Sequence, residues 1–365
     1  MSSVIRTASL LALFPLIFLY VIVPALFYFF PHFMQHIFFL HYVRIPFVDY
    51  TNLSQHEISS FGRNFYLEES TLNRTKKLSD KPKNSKNPRL GTWHVLPATI
   101  STQYMELNQI PTDSEMEALL DKEHHSIIVY FHGNSFDRTT KHRCELYNVL
   151  SAMDFHVLAI DYRGYGDSTG HPSEDGLIED ALSIYEYAKQ MAPSKNIYIW
   201  GHSMGTGVAS RFVAELSDIG LPPIGLVLES PFNNLKDAVM NHPFSKPFRK
   251  YPFFDEIFVN PLMRSGLSMS SDKHIQRITC PILVLHAQDD HVIPYILGRR
   301  LVEAAQSTHR DIQYVEFEAE RGFLHKYIHR AKELPDLVTR FFQHCETRSR
   351  SKNRTTRTPE EVDTN

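Results

Sequence analysis

The chain has 365 residues, 42% of them hydrophobic and 22% charged, and a formal net charge of -3. That balance lacks the basic excess on which nucleic-acid binding rests, and the length suits one domain of ~200 to 250 residues with flanking segments. Cys144, Cys280 and Cys345 form neither a disulfide framework nor a metal-ligand spacing, and Cys280, just before Pro281 and an apolar run, reads as a small buried hydrophobe.

After a short N-terminal segment, residues 1–7, no charge occurs from Ala8 to Phe30. A bilayer core takes about 20 helical residues and a secretory signal only ~7 to 15, so 8–30 is expected to be an uncleaved transmembrane anchor rather than a cleaved signal or an interfacial helix. Pro15 and Pro24 are tolerable in such a segment, and Phe27 to Phe30 suit an interface. The flanking charges say little about orientation. Acceptor sequons at Asn52, Asn73 and Asn353 are usable only if the bulk of the chain faces a lumen.

Residues 31–90 read as a membrane-proximal extension followed by a polar, Lys-rich loop from Glu68 to Arg89, and 346–365 as a disordered tail. Between them, over 91–345, short apolar runs alternate with helical patterns, the mark of parallel strands joined by crossover helices. Strands are expected at Ile127 to Phe131, His156 to Asp161, Ile197 to Trp200, Gly225 to Glu229 and Ile282 to His286, with Tyr314 to Phe317 at an edge. Ser173 is placed to cap the helix that carries Leu177, Ile178, Leu182, Ile184 and Tyr185. No G-x-G-x-x-G follows the first strand, so no nucleotide cofactor is indicated, and no histidines stand at metal spacing.

Gly201-His202-Ser203-Met204-Gly205 follows the strand Ile197 to Trp200 and precedes residues able to open a helix. This context predicts a nucleophile elbow and an α/β-hydrolase fold, in which the order along the chain is serine, acid, histidine. A serine hydroxyl needs a base to take its proton and a carboxylate to orient that base. Asp290, just beyond the strand Ile282 to His286 and two residues before Val292, is the expected acid, with Asp289 left to bond the loop. His325, in a loop after the last strand, is favoured as base over His291, His309, His329 and His344. The backbone amides of Met204 and Asn134 are the expected oxyanion donors, and His132 is read as holding its loop. The stretch 231–279, rich in phenylalanine and proline, is expected to be a lid insertion whose aromatics line an acyl channel or pack a satellite core.

Gly91-Thr92-Trp93-His94, Phe131-His132-Gly133-Asn134, Asp161-Tyr162-Arg163-Gly164-Tyr165-Gly166-Asp167-Ser168, the elbow, His242-Pro243-Phe244-Ser245 and His325-Lys326-Tyr327-Ile328 together resemble the membrane-anchored lysophosphatidylserine lipases, the α/β-hydrolase domain-containing protein twelve type. The likeness covers most of 61–342 and implies nucleophile Ser203, acid Asp290 and base His325. It further implies an endoplasmic-reticulum anchor, a lumenal catalytic domain, and hydrolysis of the acyl ester of lysophosphatidylserine and related lipids without a cofactor. The partners implied are therefore a lipid substrate and the membrane. Ser135-Phe136-Asp137-Arg138-Thr139 departs from the glycine-rich family pattern and bears on the acyl pocket. Monoacylglycerol lipase, thioesterase or peptidase activity on the same triad is the alternative, and a non-catalytic membrane scaffold the bland one.

Overall fold

Strands apolar on both faces must be covered on both sides, and the interior strands of this chain are of that kind. The computed structural model describes residues 13–30, 35–36, 38–68, 88–122 and 124–356. Eight strands form one sheet: β1 (Gly62–Leu67), β2 (Leu90–Val95), β3 (Ile127–Phe131), β4 (His156–Ile160), β5 (Ile197–His202), β6 (Gly225–Glu229), β7 (Ile282–Ala287) and β8 (Ile312–Phe317). Their order is β1-β2-β4-β3-β5-β6-β7-β8, antiparallel at the β1–β2 and β2–β4 joins and parallel beyond.

Alternate side chains divide the core in two. Val129, Ile199, Leu228 and Val284 face the helices Glu174–Met191, Met204–Asp218 and Tyr295–Gln306, while Tyr130, Trp200, Val227 and Leu285 face Lys141–Ala152 and the terminal helix. Ser173 caps its helix as expected, its side chain accepting from the Gly176 amide at 3.1 Å. The chain passes from β3 outward to β4 and then returns to β5 on the other side of β3. This reversal opens a crevice at the carboxyl ends of β3 and β5, where ligands bind in sheets of this kind.

Two sequence expectations change. The hydrolase domain starts before residue 91, because β1 pairs with β2 from Gly62↔Val95 to Leu67↔Leu90. The tail is not disordered from Glu346, since the helix Leu334–Thr356 runs on. Its Cys345 side chain is buried against the sheet, and Asp311 pairs with both His344 and Arg348. Among the described residues no helix is long and apolar enough to cross a membrane. Residues 13–29 are helical but widen to a π-helix over Phe18–Ile22, just before Pro24, whose missing amide cannot serve an ordinary helical bond. This helix also rests on the insertion: the Phe27 ring centroid lies 5.2 Å from that of Phe258, and Tyr251 donates to the carbonyl of Tyr20 at 2.9 Å. Residues 1–12, most of the polar loop and Asn73 lie outside the described residues.

Within 231–279 the chain forms short helices at Leu235–Asn241, Asn260–Arg264 and Ser271–His274. Phe254, Phe258 and Val259 make a satellite core with Val23, Phe27 and Phe248.

Candidate active site

Ser203 sits between the end of β5 and the helix Met204–Asp218 with φ 54° and ψ -121°, a conformation that costs about 1–3 kcal/mol and survives only when its surroundings enforce it. The flanking glycines are what permits it. A Cβ on Gly205 would lie 2.1 Å from the carbonyl oxygen of Phe131, and one on Gly201 would lie 2.5 Å from that of Gly205. The Ser203 amide donates to the carbonyl of Glu229 at 3.0 Å, tying the turn to the end of β6.

Three side chains predicted from scattered positions converge here. Ser203 Oγ is 2.9 Å from His325 Nε2, and His325 Nδ1 is 2.7 Å from Asp290 Oδ2. A carboxylate can only accept, so Nδ1 carries the proton and Nε2 is left to accept from the serine. The other oxygen of Asp290 accepts the amides of Val292 and Ile293 at 2.9 and 2.8 Å. Burial pushes the Asp290 carboxyl up, but His325 and the hydrogen bonds from His286 and His325 outweigh it and hold the group well below the usual carboxylate range. It therefore stays ionised and opposes any flip of the imidazole.

The base is held from two further directions. His202 donates from Nε2 to the carbonyl of His325 at 2.9 Å, and burial holds the His202 pKa far below the ordinary histidine value, so it remains neutral. Asp289 accepts the Leu324 amide at 3.0 Å, fixing the residue before the base, as the loop role expected of it requires. His286 lies 3.4 Å from Asp290 and bonds the Ile293 carbonyl at 2.9 Å. Sequence reasoning missed the parts of His202 and His286. Both are histidines at strand ends beside a triad member, and that position was the available signal.

Met204 opens its helix, so its amide has no carbonyl four residues back to bond. Asn134, in the loop after β3, lines the same cavity. The Asn134 side chain is engaged at both ends: Nδ2 donates to Phe38 O at 2.5 Å, and Oδ1 accepts from Leu40 N at 3.3 Å and Tyr165 Oη at 2.7 Å. That ties the N-terminal extension to the site. His132 is buried, with Nδ1 bonded to the carbonyl of Gly133 at 2.7 Å, which is the loop-holding role expected of it. Asp137 and Arg138, in the stretch that departs from the family pattern, are both buried in a network with Asp161, Asp167 and Tyr50. Only Ser135 of that stretch reaches the cavity. Cys144, Cys280 and Cys345 are buried free thiols, and no group of side chains among the described residues is arranged to hold a metal.

A cavity of about 450 Å³ stands over Ser203 and His325, walled by Phe38, Leu40, Phe232, Val239 and Phe244 among others. It adjoins a second cavity of about 270 Å³ among Phe27, Phe248, Phe254 and Phe258, and both are lined by Phe38, Val239, His242 and Phe244. Of the two alternatives for the insertion aromatics, Phe254 and Phe258 pack the satellite core, and with Phe244 and Phe248 they also line this second cavity.

The sequence profile of the serine aminopeptidase S33 family matches residues 122–260. The lysophosphatidylserine lipase ABHD12 of Danio rerio is 36% identical over 329 residues, 89% of this chain and 81% of that protein. The chain belongs to this family. The human protein ABHD12B is 37% identical over 62% of the chain and 61% of its own length. Among solved structures, an α/β-hydrolase from Vibrio vulnificus superposes with TM-score 0.58 at 17% identity, covering 84% of this chain and 91% of that one. The Pyrococcus furiosus esterase Pf2001 gives 0.56 at 20%, covering 83% and 99%. These likenesses establish the α/β-hydrolase fold, and membership of the ABHD12 family makes the chain a serine ester hydrolase.

Proposed function

We propose that this chain hydrolyses the acyl ester of lysophospholipids, lysophosphatidylserine foremost, through an acyl-enzyme on Ser203. The observation that carries the reading is the Ser203–His325–Asp290 hydrogen-bond chain at the floor of an apolar, two-part cavity. Ser203 Oγ attacks the ester carbonyl as its proton passes to His325 Nε2, and the amides of Met204 and Asn134 receive the oxyanion. The carbon–oxygen bond to glycerol then breaks, and His325 returns the proton to that alcohol. Water repeats the sequence against the acyl-enzyme, losing a proton to His325, and the fatty acid leaves Ser203 restored.

The names of the ABHD12 relatives support the headgroup, and the apolar walls support a fatty acyl chain over a peptide. The same reading places the chain at the endoplasmic-reticulum membrane, held there by the apolar residues 8–30, with the catalytic domain lumenal and Asn52, Asn73 and Asn353 available for glycosylation.

The test is fluorophosphonate labelling of wild-type and Ser203→Ala protein in membranes, with lysophosphatidylserine as competitor. Labelling is expected to vanish in the variant and to be competed by the lipid. Labelling that persists in folded Ser203→Ala sinks the site, and labelling without competition sinks the substrate.

A further inference from the structure

Lysophosphatidylserine differs from a monoacylglycerol in its anionic headgroup, so a cavity that selects it needs a counter-charge. Among the described residues lining the catalytic cavity there is no Asp or Glu, and Lys326 is the one residue with a fixed charge. Lys326 follows the base directly, so its Cα is about 3.8 Å from that of His325. Its side chain is half-buried, and its ammonium forms no ion pair or side-chain hydrogen bond with any described residue. Burial and the like charge of Arg143 both lower its pKa, as befits a cation held without a counter-anion. Arg143 itself is committed elsewhere, donating to the carbonyls of Asp137, Gly133 and Ser135. An unpaired, partly desolvated cation is costly in a resting protein and is offset when an anion arrives.

The cavity also has a direction. Phe38, Val239, His242 and Phe244 line both chambers, whereas Lys326, Ser203 and His325 line only the catalytic one. An acyl chain running from Ser203 into the aromatic chamber leaves the alcohol side of the ester in the chamber that Lys326 lines.

We infer that Lys326 binds the phosphodiester of the lysophospholipid headgroup, making it a specificity-determining residue for this reaction. The inference rests on the lysophospholipid reading proposed above. The phosphodiester is the anion nearest the reacting ester, separated from it only by glycerol, while the serine carboxylate lies farther out. A lysine beside the base therefore meets the phosphate first.

The experiment uses the full chain in membranes, with active sites counted by fluorophosphonate titration so that misfolded protein is excluded. kcat/KM is measured for wild type, Lys326→Met and Lys326→Arg on lysophosphatidylserine, lysophosphatidylethanolamine and monoacylglycerol of one acyl length. Lys326→Met is expected to fall on both phospholipids at least about ten-fold more than on monoacylglycerol, mainly through KM, with Lys326→Arg recovering most of the loss. An equal fall on all three substrates, or none, overturns the assignment. A fall confined to lysophosphatidylserine also overturns it, by pointing to the serine carboxylate. If wild type itself cleaves monoacylglycerol but neither phospholipid, the functional reading fails instead, and the two failures are distinct.

Discussion

The floor and the far chamber of the substrate cavity are built in different ways. At the floor each functional side chain stands in the turn or loop that follows a strand. Ser203 follows β5, Asp290 follows β7, His325 follows β8, and each is fixed by backbone bonds to Glu229, Val292, Ile293 and His202. The far chamber is assembled from side chains far apart in the chain: Phe27 from the N-terminal helix, Phe38 from the extension, and Phe248, Phe254 and Phe258 from the insertion. A proton relay needs ångström placement, which a sheet supplies. An acyl chain needs only excluded water and adequate width, which loosely related aromatics supply. Substitutions at the floor should therefore cost chemistry, and substitutions in the far chamber should shift preference.

The sharpest break of that contrast after Ser203 itself is Asp290→Asn. The amide keeps the shape but can donate to His325 Nδ1, which moves the imidazole proton to Nε2 and removes the acceptor for Ser203. kcat is expected to fall about 10³- to 10⁴-fold with little change in KM, measured as acyl release by the titrated enzyme. A loss under ten-fold would mean that another carboxylate serves His325.

Glu229 comes next. It is buried at the end of β6 with Trp200 Nε1 donating to it at 2.9 Å, and burial raises its pKa to about 7, with Trp200 opposing and the Asp290 charge adding to the rise. The folded state thus holds this proton more tightly than the unfolded chain, whose pKa is about 4.3. Its stabilising contribution is full below that value and is lost as pH rises through 7, by about 4 kcal/mol in all. Glu229→Gln keeps an acceptor for Trp200 and cannot ionise. It should melt several degrees above wild type at pH 8, with most of the gap closed at pH 5. An equal gap at both pH values would refute ionisation of Glu229 as the cause.

The floor was largely legible in the sequence because its rules are local: a strand, glycines flanking a serine, an acid before an apolar pair, and a histidine after the last strand. The same locality explains what escaped. β1 reads as polar because Asn64 accepts from the Arg138 guanidinium at 2.6 Å and Arg63 pairs with Glu117 at 2.8 Å, partners that no window of sequence displays. The helix Leu334–Thr356 looks charged enough to be a tail, yet Asp311, far upstream, neutralises part of that charge. Phe38 and Leu40 fall within what the sequence shows only as a membrane-proximal extension, and the tether from Asn134 turns them into cavity wall.

The smallest expected effect probes the far chamber. Phe27 lines that chamber and not the catalytic one, and its ring packs edge-on against Phe258. Phe27→Ala removes a wall that only a long acyl chain reaches, so it should alter the ratio of kcat/KM between long- and short-chain lysophosphatidylserine by about four- to fifteen-fold. That is the range in which one or two buried methylene groups, at ~0.8 kcal/mol each, act. Labelling of Ser203 by a fluorophosphonate with a short alkyl group should proceed at the wild-type rate. A fall common to both chain lengths would show instead that the N-terminal helix props up the floor, and the two ends of the cavity would then be one mechanical unit.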